Sequence, residues 1–191
     1  MKKLSAGAIT GIVLGGLVLI LALWGVGSYN GLVGLREQVS SQSANIQTQL
    51  QRRLDLIPNL VNTVKAATTH EEKIISEIAQ ARSNLVGAGN MKEKAAANDE
   101  LSGALGRLMA IVEQYPNIKA NEQFQSLTDE LAGTENRIAY ARTDYNNAVQ
   151  TYNNRTKTFP AMIFANMFGF GQEEYFLASP GSENAPVVNF S

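Results

Sequence analysis

The sequence predicts an all-α protein: an N-terminal transmembrane helix followed by an elongated antiparallel helical bundle of the four-helix, up-and-down type. Three observations predict it. No charged residue lies between Leu4 and Tyr29, and Leu4–Val26 is long enough to cross a bilayer as a helix. Beyond it, apolar residues recur at helical spacing almost to the end of the chain. Turn signals at Gly87-Ala88-Gly89-Asn90 and Tyr115-Pro116-Asn117 cut that pattern into segments able to fold back on one another. The expected division is a basic N-terminus plus anchor over 1–28, a helical domain over 29–170 and an extended tail over 171–191.

The anchor follows Lys2 and Lys3, and the next charges are Arg36 and Glu37. The basic excess before the span predicts a cytoplasmic N-terminus with the domain on the far side. Gly25-Val26-Gly27 before Ser28 also resembles a peptidase site, but the apolar run exceeds a signal core, which favours an uncleaved anchor. Gly7, Gly11 and Gly15 share one face, a spacing that lets two transmembrane backbones approach and makes a homo-oligomer a candidate state.

After the anchor, Leu32, Leu35, Val39, Ile46, Leu50 and Leu54 form one stripe. Ile57, Leu60, Val64, Ala67, Glu71, Ile74, Ile78, Ala81 and Leu85 form another in a displaced phase. Pro58 sits where the phase changes, which predicts a break or strong kink near residue 57 and one helix from there to about Leu85. A further helix is expected from about Lys92 to Gln114, seamed by Leu101, Leu105, Leu108 and Val112. Gly103 and Gly106 beside that seam suggest close approach of a neighbour. The longest element is expected over Asn117–Phe159. There Ala120, Phe124, Leu127, Leu131, Thr134, Ile138, Ala141, Tyr145, Ala148, Tyr152, Arg155 and Phe159 alternate at steps of four and three. A helix of that span would be roughly 64 Å long and must be covered by its neighbours.

Composition narrows function more than it identifies it. Among 191 residues there is no cysteine and one histidine, which removes disulfides, thiol catalysis and thiolate metal sites. Without Lys2 and Lys3 the chain holds 14 basic against 17 acidic residues, so nucleic acid is not an expected partner. His70-Glu71 lacks the second histidine of a metalloprotease helix, because Ile74 stands there. No catalytic residue, metal ligand or cofactor site is expected.

Several blocks resemble the LemA family of bacterial membrane proteins. They are Tyr29-Asn30-Gly31-Leu32-Val33, Arg52-Arg53-Leu54-Asp55-Leu56-Ile57-Pro58-Asn59-Leu60-Val61, Val64-Lys65 and His70-Glu71. Further along are Glu113-Gln114-Tyr115-Pro116-Asn117-Ile118-Lys119-Ala120-Asn121, Glu135-Asn136-Arg137-Ile138-Ala139-Tyr140-Ala141-Arg142 and Tyr145-Asn146. Phe159-Pro160, Phe168-Gly169-Phe170 and Ala185-Pro186-Val187 follow in order. Ala66-Ala67-Thr68-Thr69 departs from the family pattern, which would carry an aromatic there. The resemblance implies a one-span membrane protein with a four-helix domain, no enzymatic activity, a role in the cell envelope and unidentified envelope proteins as partners.

Two residue groups are candidate sites. Arg52, Arg53, Asp55, Glu113, Lys119, Glu135, Asn136, Arg137, Tyr140, Arg142, Tyr145 and Asn146 could join in a polar network. Such a network could fix helix register inside the bundle, line a binding groove or, around Arg142 and Tyr145, hold a cofactor. The second group is the uncharged segment 159–170, where Met162, Phe164, Met167, Phe168 and Phe170 either dock across the bundle end or enter the bilayer interface. Phe190 is expected to pin the acidic tail.

Overall fold

A computed structural model of the chain describes residues 6–66, 68 and 71–177. His70, Phe190 and Leu4 lie outside them, so the expectations on those residues are not addressed. The described residues are helical from end to end of the pattern and include no strand: α1 (Ala6–Lys65), α2 (Glu72–Gly87), α3 (Met91–Val112), α4 (Pro116–Lys119), α5 (Glu122–Lys157) and α6 (Ala161–Phe168). They fall into two compact units. Of the described residues, unit 1 combines those up to Ser40 with Ala148–Glu173, and unit 2 combines those of 41–147 with 174–177.

The break expected at Pro58 does not occur; α1 runs on to Lys65. Proline at 58 removes the amide that would bond the Leu54 carbonyl, and Arg82 Nε donates to that carbonyl instead at 3.3 Å. The apparent phase change was also misplaced. Leu32, Val39, Ile46, Arg53 and Leu60 recur every seven residues, as do Leu50, Ile57 and Val64, and all are buried. Arg53, a charged residue in a core position, hides an unbroken repeat.

The chain turns instead between Lys65 and Glu72, inside what the pattern presented as one helix. Thr68 Oγ1 donates to the Val64 carbonyl at 3.2 Å, closing the end of α1. Glu72 then opens α2, where a negative charge meets unpaired helix amides favourably. α2 and α3 form an antiparallel hairpin: Asn84 bonds Glu100 at 2.9 Å and Arg107 pairs with Glu77 at 3.0 Å, the second pair being farther from the turn along both helices. At the turn, Asn90 Oδ1 accepts from Glu93 N while Glu93 Oε2 accepts from Gly89 N, at 2.8 and 2.7 Å. This reciprocal pairing satisfies amides the helix start leaves open. Gly103 and Gly106 are exposed, and a Cβ on either would meet no neighbouring helix, so the expected close approach is absent.

The long last helix is shorter than expected, 36 residues or about 54 Å. It begins at Glu122 because Asn121 Oδ1 accepts from the amides of Gln123 and Phe124, at 2.9 and 3.1 Å, ending the α4 turn and starting a new helix. Along α5 the expected seam is buried at Phe124, Leu131, Thr134, Ile138, Ala141, Tyr145, Ala148 and Tyr152. Toward the end it drifts: Val149, Asn153 and Thr156 are buried, while Arg155 and Phe159 are exposed. A helix of 3.6 residues per turn slips past a stripe of 3.5 by about 20° per heptad, which accounts for the drift.

Candidate functional site

The twelve candidate polar residues do not form one network. In unit 2, Arg53 is the centre of the densest cluster. Its Nη1 lies 2.6 Å from Asn98 Oδ1 and 2.6 Å from Glu135 Oε2, and its Nη2 donates to Ser102 Oγ at 2.9 Å. The guanidinium therefore ties α1 to α3 and α5. Arg53 is only 4% exposed. Burial pushes its pKa below the ordinary arginine value, while Glu135 and Asp99 push it back up. It stays a cation, because arginine is effectively always protonated, and a buried cation must be paired. Asn98 and Ser102 were not foreseen. Asn98 stands three residues before Leu101, in phase with the α3 seam, and a polar residue in an apolar stripe is the signal that a partner waits inside.

The other members of the group lie elsewhere. Asp55 accepts from Gln51 Nε2 on the α1 surface at 2.8 Å. Arg52 and Arg137 border a shallow open depression with Asp129 and Glu130, and Asn136 and Tyr140 are exposed. Glu113 and Lys119 pair at 2.6 Å across the α3–α4 corner, in solvent.

Arg142, Tyr145 and Asn146 serve a different purpose: they hold the chain's own extended segment. Asn146 Oδ1 accepts from Phe176 N at 2.9 Å and its Nδ2 donates to Phe176 O at 3.1 Å. Tyr145 Oη donates to Glu174 O at 2.8 Å, and the Arg142 guanidinium sits 5.9 Å from the Phe176 ring centroid. Phe176 is 1% exposed. A side-chain amide carries one acceptor and one donor at the spacing of a peptide edge, so Asn146 pairs with both backbone groups of one residue as a neighbouring strand would. In unit 1, Asn153 does the same for Glu173, at 2.9 Å for each bond. Asn146 and Asn153 stand seven apart on one helix, the trace of this device in the sequence.

Unit 1 also holds the apolar group. Phe164 packs on Gly25 of α1, where a Cβ would lie 3.0 Å from Phe164 Cε1, so only glycine permits the contact without displacement. Tyr29 meets Phe168 and Phe170 edge-on, with centroids 5.1 and 5.6 Å apart. Gly169, at φ 74°, reverses the chain after α6, and the Phe170 amide bonds back to Ala165 O at 2.9 Å. Met162 and Met167 point away from the packed side and are exposed. Tyr152 is fully buried here; its hydroxyl finds no partner among the described residues, and burial pushes its pKa up. At Gly7, Gly11 and Gly15 the surface is open, and a Cβ there would meet nothing within 4 Å among the described residues. Among the described residues no group of three metal-ligating side chains assembles.

A helix apolar enough and long enough to cross a membrane, continued into a helical body, is the build of a membrane-associated protein. The particular family follows from comparison. The chain belongs to the LemA family, whose profile matches residues 42–190. It is 30% identical to magnetosome protein MamQ 2 of Paramagnetospirillum magneticum, covering 84% of this chain and 68% of that one. It is 28% identical to MamQ of Magnetospirillum gryphiswaldense over the same shares. Protein LemA of Metamycoplasma hominis is 26% identical, over 70% of this chain and 62% of its own length. None of these names denotes an enzyme.

Proposed function

We propose that this chain is a non-enzymatic, membrane-anchored scaffold of the bacterial cell envelope. Leu4–Val26 holds it in the inner membrane with the N-terminus in the cytoplasm. In unit 2, α2 and α3 with the parts of α1 and α5 that lie in that unit build an up-and-down antiparallel bundle on the other side, whose surface receives envelope proteins. One observation carries this reading: the helix that is apolar over the span is the same α1 that supplies Ile46, Leu50, Ile57, Leu60 and Val64 to the core of unit 2. The polar residues most suggestive of chemistry, Arg53, Arg142, Tyr145 and Asn146, are engaged by the chain's own groups. Relatives named for a cellular body rather than a reaction fit the same reading.

The test is photocrosslinking in intact cells, with a benzophenone amino acid at Asn136 or Tyr140, both exposed on α5. Specific adducts with envelope proteins, identified by mass spectrometry, are expected. Adducts no different from those of an unrelated anchored protein sink the scaffold role. Orientation is checked separately by labelling Tyr140→Cys with a membrane-impermeant thiol reagent, which reacts in whole cells when the domain faces outward.

A further inference from the structure

Within unit 1, α6 is two-sided. Ala161 and Ala165 are buried and Phe164 is half-buried, whereas Met162, Ile163, Met167 and Phe168 are 41%, 52%, 64% and 49% exposed. Phe159, just before the helix, is exposed as well. No charge occurs between Lys157 and Glu173 to make this face suit water. Isolated exposed apolar residues are ordinary, but Met162, Ile163 and Met167 on one side of two helical turns, with Asn166 the one polar residue among them, ask for a cover.

The position of α6 on α1 identifies the cover. Its contacts are with Gly25, on the last turn of the span, and with Tyr29, four residues or about 6 Å further along the helix. The headgroup layer on each side of a bilayer is about 5–8 Å deep beyond the hydrocarbon. α6 is thus fastened to α1 where acyl chains give way to headgroups. Exposed Trp24 and Tyr29 bracket this stretch of α1, the residue types that favour that boundary. The first charge along α1, Arg36, is about 15 Å past Val26 and clear of the layer.

We infer that α6 lies in the membrane interface beside the exit of the span, with the Met162, Ile163 and Met167 side in lipid at the boundary of acyl chains and headgroups. This rests on the membrane-anchored reading above and adds a second membrane contact to it. An eight-residue helix buries too little apolar area to bind a bilayer firmly by itself. Held against α1 through Phe164 and Phe168, it loses little further freedom on entering lipid. Its function is then a collar that fixes the depth at which the span ends, since sliding α1 along its axis would drag the apolar face into water or the Tyr29 hydroxyl into hydrocarbon.

Because the chain has no cysteine, single cysteines can be spin-labelled cleanly in the full-length protein. The variants are Leu23→Cys in the span, Ile163→Cys and Met167→Cys on α6, and Gln150→Cys on the exposed side of α5. In vesicles of phosphatidylcholine and phosphatidylglycerol, collision with oxygen and with a water-soluble nickel chelate reports depth. The α6 labels are expected to favour oxygen over nickel several-fold more than Gln150→Cys does, approaching Leu23→Cys. If the α6 labels match Gln150→Cys while Leu23→Cys remains in lipid, the collar is overturned and the anchor stands. If Leu23→Cys itself reads as aqueous, the anchor reading fails and the collar with it. Labels shielded from both reagents, with spin–spin broadening that vanishes on dilution with unlabelled chain, mean that a second copy covers the face, which also overturns the proposal.

Discussion

Unit 1 exposes the kind of side chain that unit 2 buries. Ile12, Leu17, Leu23, Trp24, Ile163 and Met167 of unit 1 are each more than half exposed, whereas Ile46, Ile57, Leu60, Ile78, Leu101, Leu108 and Ile118 of unit 2 are at most 2% exposed. The exceptions in unit 2, Val86, Tyr140 and Leu177, are scattered. Unit 2 also buries a charge, Arg53, and surrounds it with partners. Residue type is therefore no guide to surroundings here. On the membrane-anchored reading proposed above, the difference teaches that the two regions are built for different solvents, one water and the other lipid, and each prediction below presses on that contrast.

The largest effect is expected at Arg53. Arg53→Ala leaves Asn98 and Ser102 without their donor and opens space among three helices, costing about 3 kcal/mol. That is the low end for breaking a buried pair, because the Glu135 side chain is 47% exposed and can hydrate. Arg53→Met, which restores volume without charge, should cost distinctly less. Chemical unfolding of the full chain in detergent micelles measures both. Equal costs would mean that packing rather than pairing holds the node.

Phe176→Ala comes next, at about 3 kcal/mol or somewhat more if the segment leaves α5 altogether. Asn146→Ala removes two bonds to the Phe176 backbone and should cost about 1–2 kcal/mol. Because both act on one contact, the double variant should cost less than the sum. Strict additivity would show that Asn146 does not position Phe176.

A smaller effect is spectroscopic. Tyr115 Oη donates to Glu71 Oε1 at 2.8 Å, and this bond, more than burial, raises the phenol pKa. A raised folded value means that the contact stabilises the fold below the ordinary phenol pKa of about 10 and is lost as pH climbs through the folded value. In Glu71→Ala the ultraviolet titration of Tyr115 should move back down toward that ordinary value. An unmoved titration would assign the shift to burial.

The sequence made the helices legible and placed several ends wrongly, and the same residues explain both outcomes. Arg53 occupies a core position in a seven-residue repeat; left out of the apolar stripe because it is charged, it makes one helix look like two stripes with a break or kink at Pro58. What carries α1 past the proline is Arg82 from α2, a contact no local pattern contains. Asn121, by contrast, is a local capping signal obscured by the strength of the seam around it. Of the twelve candidate polar residues, Arg53 and Glu135 meet in one cluster and Arg142, Tyr145 and Asn146 in another, and their separation into the Arg53 node and the hold on residues 174–176 depends on which helices meet. The hold in particular needs a segment with no periodic signal, recognised through its backbone and the single buried side chain of Phe176.

The smallest expected effect tests the contrast most directly. Ile163→Ser in α6 replaces an isoleucine that is 52% exposed, so in detergent the unfolding of unit 1, followed by a reporter in α6, should shift by no more than about 0.5 kcal/mol. Ile78 is 0% exposed in unit 2, and its replacement by serine there removes a buried side chain and buries a hydroxyl, at several kcal/mol. The two substitutions are chemically identical, so composition and intrinsic helix preference largely cancel between them. A loss near 2 kcal/mol at Ile163 would require protein atoms against that face and would make unit 1 resemble unit 2. A negligible loss, with vesicle association of the full chain weakened only slightly because the span remains, leaves lipid as the medium for which the face is built.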